Sequence, residues 1–171
     1  MRQDAAAAST PPLSRRLACF AYEGVLLFGI VMACGLVYGM LTQQHDARSG
    51  RTGLQTVLFV VLALYFVGFW SHGGQTLAMK TWHIRLLDRG GQPIRPLRAL
   101  ARYLLAWLWF LPALLLLAGQ GLHESRGLAA GALAAGVLAY AALSRLLPER
   151  QYLHDLLCGT RLVNWRPVSK H

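Results

Sequence analysis

Glu23 is the residue of this 171-residue sequence whose type and position point most directly to chemistry. It lies six residues after Leu17, where a long apolar run begins, and thus roughly 9 Å into a helix that rises 1.5 Å per residue. A carboxylate at that depth in a membrane is unfavourable unless it is protonated, paired or facing water. Glu23 is therefore a candidate proton or cation carrier. The alternative is a side chain that reaches the interface or only assists helix packing.

Two arginines are placed to interact with this carboxylate. Arg16 precedes Glu23 by seven residues, which puts both on one helical face about two turns apart. Arg102 lies five residues after Leu97 in a later apolar run, at a depth close to that of Glu23. We predict that Arg102 and Glu23 neutralise each other.

The rest of the sequence contains no recognisable catalytic or metal-binding arrangement. The three cysteines form no C-x-x-C pair, and the six histidines form no H-x-x-x-H pair. The Gly-Gly-Gln-Thr segment at 73–76 matches no phosphate-binding loop and is interpreted as a plain turn. We therefore predict no catalytic residues, no protein-bound metal and no cofactor.

The composition indicates a membrane protein. Hydrophobic residues make up 55% of the chain and charged residues only 14%, against roughly 25% charged residues in soluble domains. Lys and Arg number 17 and Asp and Glu 7, for a net charge of +10. Because the basic residues lie between long apolar runs and not along one polar face, they favour orientation in a membrane over nucleic-acid binding. The lipid bilayer is the expected partner.

Four apolar runs predict an all-α membrane fold, a bundle of four transmembrane helices. A hydrocarbon core of about 30 Å is crossed by about 20 helical residues, and the runs cover 17–41, 54–70, 97–118 and 128–147. Pro112 interrupts the third run and predicts a kink near Trp109. Residues 1–14, rich in Ala, Ser and Pro, predict a disordered leader. Residues 15–165 then form one domain, and 166–171 a tail.

The distribution of basic residues predicts the orientation of these helices. Thirteen Lys and Arg residues lie in the leader, the connection between the second and third runs, and the tail, against three in the other two connections. Both termini and the middle connection are thus expected in the cytoplasm of a bacterial-type cell, with the protein in its inner membrane. A lipoprotein-like V-M-A-C-G segment also allows cleavage before Cys34, which would leave three helices. Glu23 within the apolar stretch and Met32 in the cleavage site argue against cleavage.

The middle connection and the tail predict a small cytoplasmic β-hairpin or sheet. Residues 81–88 read T-W-H-I-R-L-L-D, in which apolar and polar residues alternate with the period of a half-buried strand. A turn signal, Arg-Gly-Gly, follows at 89–91. Residues 160–165, T-R-L-V-N-W, supply the partner strand.

Three segments of the chain resemble the RDD family of bacterial membrane proteins, which is named for one Arg and two Asp. They read R-L-A-C-F-A-Y-E from Arg16, G-Q-T-L-A-M-K and R-L-L-D-R-G-G-Q-P-I in the middle connection, and H-D-L-L-C-G-T-R-L-V from His154. The resemblance places the motif residues of the family at Arg16, Glu23 and Asp155. Glu23 stands where the family has its first Asp, and Ala78 where a Gly is expected. Glu23 retains the carboxylate and lengthens the side chain by one methylene, whereas the difference at Ala78 affects only that turn.

The resemblance implies transport of an ion or small solute, with cation and proton exchange as the sharpest expectation. The alternative is a structural or accessory subunit of a membrane assembly in which the charges only hold helices together. A bundle of four helices would need to dimerise to enclose a pathway, so a homo-oligomer is expected. The candidate residues are Arg16, Glu23, Arg102, His154 and Asp155, and Arg16 and Asp155 are predicted to form a bidentate pair at the cytoplasmic interface.

Overall fold

A computed structural model describes residues 9–42, 51–110 and 126–165 of the chain. These residues form six α-helices and two strands: α1 (Leu13–Thr42), α2 (Arg51–His72), α3 (Leu77–Thr81), β1 (Ile84–Asp88), α4 (Pro96–Ala106), α5 (Arg126–Leu143), α6 (Leu153–Cys158) and β2 (Thr160–Asn164). A 3-10 turn at Trp107–Trp109 follows α4, at the position of the predicted kink. The mostly helical character and the small sheet are confirmed. Residues 111–118 of the predicted third span lie outside the described ranges.

Within the described residues, two helices are long and apolar enough to cross a membrane. They cover Leu13–Thr42 and Thr52–His72, or 30 and 21 residues, which correspond to about 45 and 32 Å of helix. The last buried residue of α1 is Glu23, and beyond it large apolar side chains such as Leu36 and Leu41 are exposed. A surface of this kind suits contact with lipid, because water disfavours large exposed apolar patches.

The beginning of α1 differs from the prediction in its position. The helix starts at Leu13, four residues earlier than the apolar run, and two prolines precede it. Proline suits a helix start because its φ angle is already helical and it has no N–H group to leave unpaired. The backbone N–H of Arg16 donates to the carbonyl of Pro12 at 3.2 Å, which extends the helical pattern to that residue.

The two strands pair antiparallel, with Ile84 opposite Asn164 and Asp88 opposite Thr160. Gly159, at φ 63°, ends α6 in the left-handed conformation that glycine adopts without strain, and β2 begins at the next residue. The side-chain amide of Gln151 covers β2 at Leu162: it donates to the Leu162 carbonyl at 3.1 Å and accepts from the Leu162 N–H at 3.0 Å. This residue of β2 therefore keeps no free backbone group.

The buried residues gather at one end of the molecule, which we call the cap. The cap consists of the first turns of α1, the last turns of α2 and α5, and the short elements α3, β1, α4, α6 and β2. Gly74 illustrates how closely these parts approach, since its carbonyl accepts from the Leu86 N–H at 2.7 Å. A Cβ atom on Gly74 would lie 2.5 Å from the Leu86 carbonyl oxygen. All five candidate residues lie in the cap and are buried.

Candidate functional site

Glu23 is a buried carboxylate held by hydroxyl groups. The Tyr65 hydroxyl, from α2, donates to Oε1 at 2.6 Å, and the Thr76 hydroxyl donates to Oε2. The ion pairs within the described ranges do not include Glu23. The predicted pairing of Glu23 with Arg102 is therefore wrong.

Thr76 has two roles at once. It is the N-cap residue of α3, and its Oγ accepts from the Met79 N–H at 3.3 Å while its hydroxyl hydrogen points to Glu23. A threonine hydroxyl has one hydrogen and two lone pairs, so both contacts can exist together. The carboxylate of α1 is thus connected directly to the start of α3.

Arg102 forms its ion pair with Asp155 instead. The Arg102 Nε donates to Asp155 Oδ1 at 2.7 Å, and the side chains are 7% and 0% exposed. The Thr160 hydroxyl donates to the same oxygen at 3.1 Å, and the Arg102 guanidinium carbon lies 4.2 Å from the centroid of the Trp70 ring. The pair connects α4 to α6 and the start of β2.

The environment of Asp155 favours its charged form. Burial alone would raise its pKa, but the Arg102 guanidinium, His154 and the hydrogen bonds from Arg102 and Thr160 outweigh burial and lower the pKa below its ordinary value. The carboxylate is therefore ionised at neutral pH and neutralised by Arg102. Its second oxygen, Oδ2, has no hydrogen-bond partner among the described residues and lies 3.7 Å from His154 Nε2.

His154 is a neutral hydrogen-bonding group in this arrangement. Burial is the main cause that lowers its pKa to about 4. The Tyr140 hydroxyl accepts from the backbone N–H of His154 at 3.2 Å and lies 3.0 Å from Nδ1. The imidazole hydrogen is assigned to Nε2, because the unpartnered Asp155 Oδ2 lies 3.7 Å from that atom, and Nδ1 then accepts from the Tyr140 hydroxyl.

Arg16 enters the same cluster from the start of α1 without an ion pair to Asp155. Its Nη2 donates to the Ser144 Oγ at 3.5 Å, and its guanidinium carbon lies 4.5 Å from the centroid of the Tyr152 ring. Its Nε and Nη1 atoms are buried and have no hydrogen-bond partner in the described ranges. The bidentate pair predicted for Arg16 and Asp155 is not formed, since Asp155 pairs with Arg102 through Oδ1 and its Oδ2 has no hydrogen-bond partner among the described residues.

Several residues of the site were not identified by sequence reasoning. Tyr65 and Tyr140 lie in apolar helices, where an aromatic residue is first interpreted as core, and Thr76 and Thr160 lie in segments interpreted as a turn and a strand. A usable signal existed for Thr76, because a threonine immediately before a helix is a favoured N-cap. No local pattern indicates that its hydroxyl also reaches Glu23.

The site offers oxygen atoms and charges rather than nucleophiles. Glu23, Tyr65 and Thr76 bring together carboxylate and hydroxyl oxygens, the ligand type that hard cations prefer. Within the described ranges no three His, Cys, Asp or Glu side chains are grouped as metal ligands. The arrangement can therefore hold a proton or a hard cation at Glu23, and it holds a permanent ion pair at Asp155.

Comparison with known proteins gives one match. The model of the RDD family matches residues 10–159, which include all five candidate residues. No curated protein and no solved structure matches the chain significantly.

Proposed function

Because this chain belongs to the RDD family, we propose that it is a multi-pass protein of the inner membrane that transports an ion or a small solute. Glu23 is the group that takes up and releases a proton or a cation during transport. The observation that carries this proposal is the buried Glu23 carboxylate, which hydroxyl groups hold and to which no described cationic side chain is paired.

The two buried carboxylates suit different tasks. Asp155 has a permanent partner in Arg102, so a proton or cation could bind there only by displacing a guanidinium. Glu23 has neutral donors, which reduce the unfavourable burial of its charge without cancelling that charge. A hydroxyl group can rotate and present a lone pair to an incoming cation. Binding and release at Glu23 therefore require only small local changes.

The membrane arrangement follows from the apolar runs and the charge distribution. In this proposal four helices cross the bilayer, and the cap with its excess of basic residues lies at the cytoplasmic side of the membrane. Glu23 then lies at the boundary between the cap and the lipid-exposed part of α1. The exposed apolar face of α1 beyond Glu23 can pack against lipid or a second copy of the chain. Two copies would enclose a pathway that one does not.

The test is ion flux into vesicles that contain the purified protein, measured with and without a pH gradient. Glu23→Gln keeps the shape of the side chain and removes its titration, so it should abolish flux while the protein still folds. Asp88→Asn is the matched control, because Asp88 is a more exposed carboxylate whose ion-pair distance to Arg98 is 3.8 Å. Undiminished flux in Glu23→Gln would contradict the assigned role.

A second candidate is a non-transporting structural or accessory subunit. The Arg102–Asp155 pair favours it, since this buried pair ties α4 to α6 and β2 and has no evident exchange chemistry. On this alternative, vesicles with the wild-type protein show no flux above empty vesicles for any cation tested. Glu23→Gln would then be tolerated in the assembly.

A further inference from the structure

Arg16 is a buried cation that forms no ion pair with any acidic side chain of the described residues. Arg16 is only 4% exposed, yet two of its three guanidinium nitrogens have no hydrogen-bond partner in the described part of the chain. Arginine does not lose its proton in proteins, so it cannot escape the penalty of burial by becoming neutral. An unpaired buried charge is strongly unfavourable, and a partner for Arg16 is therefore required.

Neither of the two carboxylates nearest to Arg16 among the described residues forms an ion pair with it. Asp155 lies within electrostatic range of Arg16, but Arg102 and Thr160 hold its Oδ1. Glu23 lies seven residues further along α1, roughly 10 Å away along the helix axis, and accepts from two hydroxyl groups. The group formed by Arg16, Arg102 and Asp155 thus carries one excess positive charge.

The immediate surroundings of Arg16 supply a neutral donor. Tyr152, whose ring lies under the guanidinium, is 4% exposed, and its hydroxyl has no hydrogen-bond partner among the described residues. Burial is the main cause that raises the pKa of Tyr152 to about 12, so this hydroxyl keeps its hydrogen at neutral pH. The two guanidinium nitrogens, which carry three N–H groups, and one O–H group therefore have no acceptor among the described residues.

We propose that Arg16 binds a small monovalent inorganic anion such as chloride, with its Nε and Nη1 as charged donors and the Tyr152 hydroxyl as a neutral donor. The small exposed fraction of Arg16 favours an anion of atomic size over an organic one. The anion supplies the negative charge that the cluster lacks and satisfies donors that would otherwise be unpaired. This site is separate from Glu23 and does not rest on the proposed transport function.

The first test is thermal unfolding of the full chain in detergent, in sodium chloride or sodium bromide against sodium gluconate at equal ionic strength. A ligand that binds only the folded state stabilises it in a concentration-dependent manner. We expect halide to raise the Tm along a saturation curve, whereas gluconate does not. The halide effect should disappear in Arg16→Gln and persist in Arg98→Gln, an arginine of which 45% of the side chain is exposed.

The second test keeps the site intact, in case Arg16→Gln does not fold. In crystals of the wild-type protein grown with sodium bromide, an anomalous peak should lie beside the Arg16 guanidinium. Tyr152→Phe preserves the ring under that guanidinium and should weaken the apparent halide affinity several-fold. A water in place of bromide, equal stabilisation by halide and gluconate, or a halide effect that survives in Arg16→Gln would each overturn the proposal.

Discussion

The Arg102→Met substitution should leave the fully buried Asp155 carboxylate without its hydrogen-bonded counter-ion, because Arg16 forms no ion pair with it. Asp155 is 0% exposed, and Arg102 Nε lies 2.7 Å from its Oδ1. Loss of one partner of a buried ion pair destabilises a protein by about 3–5 kcal/mol, because the remaining charge is uncompensated in a medium of low polarity. We expect the unfolding free energy of Arg102→Met to fall by this amount.

A double substitution separates the stranded charge from the loss of contacts. Asp155→Leu combined with Arg102→Met removes both charges and places apolar side chains in the cluster. The Thr160 hydroxyl can still donate to the backbone carbonyl of residue 155, which it reaches at 3.4 Å in the wild type. We therefore expect the double variant to be more stable than Arg102→Met alone, since replacement of a whole buried pair is often close to neutral.

The pH dependence of Arg102→Met gives an independent check with a defined sign. In the wild type the pKa of Asp155 is lowered, so the pair stabilises the protein at neutral pH and this contribution is lost as the pH falls through that pKa. Without Arg102, burial dominates and raises the pKa. The unfolded chain then releases the Asp155 proton more readily, so the deficit of the variant grows as the pH rises from about 4, by at most about 1.4 kcal/mol per pH unit.

The assay is denaturant unfolding in mixed micelles, followed by helical circular dichroism between pH 4.5 and 8. Arg98→Met is the matched control, because its partner Asp88 lies 3.8 Å away and the two side chains are 45% and 25% exposed. An exposed pair of this kind is worth less than about 1 kcal/mol. Equal losses of unfolding free energy in Arg102→Met and Arg98→Met would refute the reasoning. Additive effects of Arg102→Met and Asp155→Leu would refute it as well.

Two further predictions concern single side chains. Burial lowers the pKa of His154 to about 4, so between pH 6.5 and 4 the unfolded imidazole protonates and the folded one does not. The unfolding free energy of the wild type should therefore fall by on the order of 3 kcal/mol over this range. His154→Gln should flatten this part of a Tm-against-pH profile, and an unchanged profile would contradict a neutral, buried His154. Thr76→Val should lower the unfolding free energy by about 1–2 kcal/mol, because it removes the N-cap hydrogen bond of α3 and a donor to Glu23. Thr76→Ser keeps the hydroxyl and should retain most of this stability. Equal stability of Thr76→Val and the wild type would contradict both contacts.

The sequence predicted burial in the cap better than it predicted partners. The alternation of residues in 81–88 and 160–165 indicated two strands, and they pair over Ile84–Asp88 and Thr160–Asn164. The five candidate residues, chosen because they are ionisable groups in or beside apolar runs or at the family motif positions, are all buried. The strand inference rests on local periodicity, which a single segment carries by itself.

The partner of Arg102 was mispredicted because its depth along the helix axis does not determine which way the helix is rotated or which helix it packs against. Glu23 and Arg102 stand at similar distances from the starts of their apolar runs. However, α4 packs its buried face, which carries Arg102, against α6, and its guanidinium reaches Asp155 there. This choice depends on contacts between segments about 50 residues apart in sequence, which no local pattern records.

The Glu23 side chain connects two elements of the fold. Its two carboxylate oxygens contact hydroxyl groups from different elements, Tyr65 in α2 and Thr76 at the start of α3. Thr76 is also the N-cap residue of α3. A ligand that moves the Glu23 carboxylate away from Thr76 would therefore also affect the start of this helix. Asp155 is held separately by Arg102. On the proposed function, uptake at Glu23 would be linked to the start of α3 through the Thr76 hydroxyl, which the ion pair between Arg102 and Asp155 does not contact.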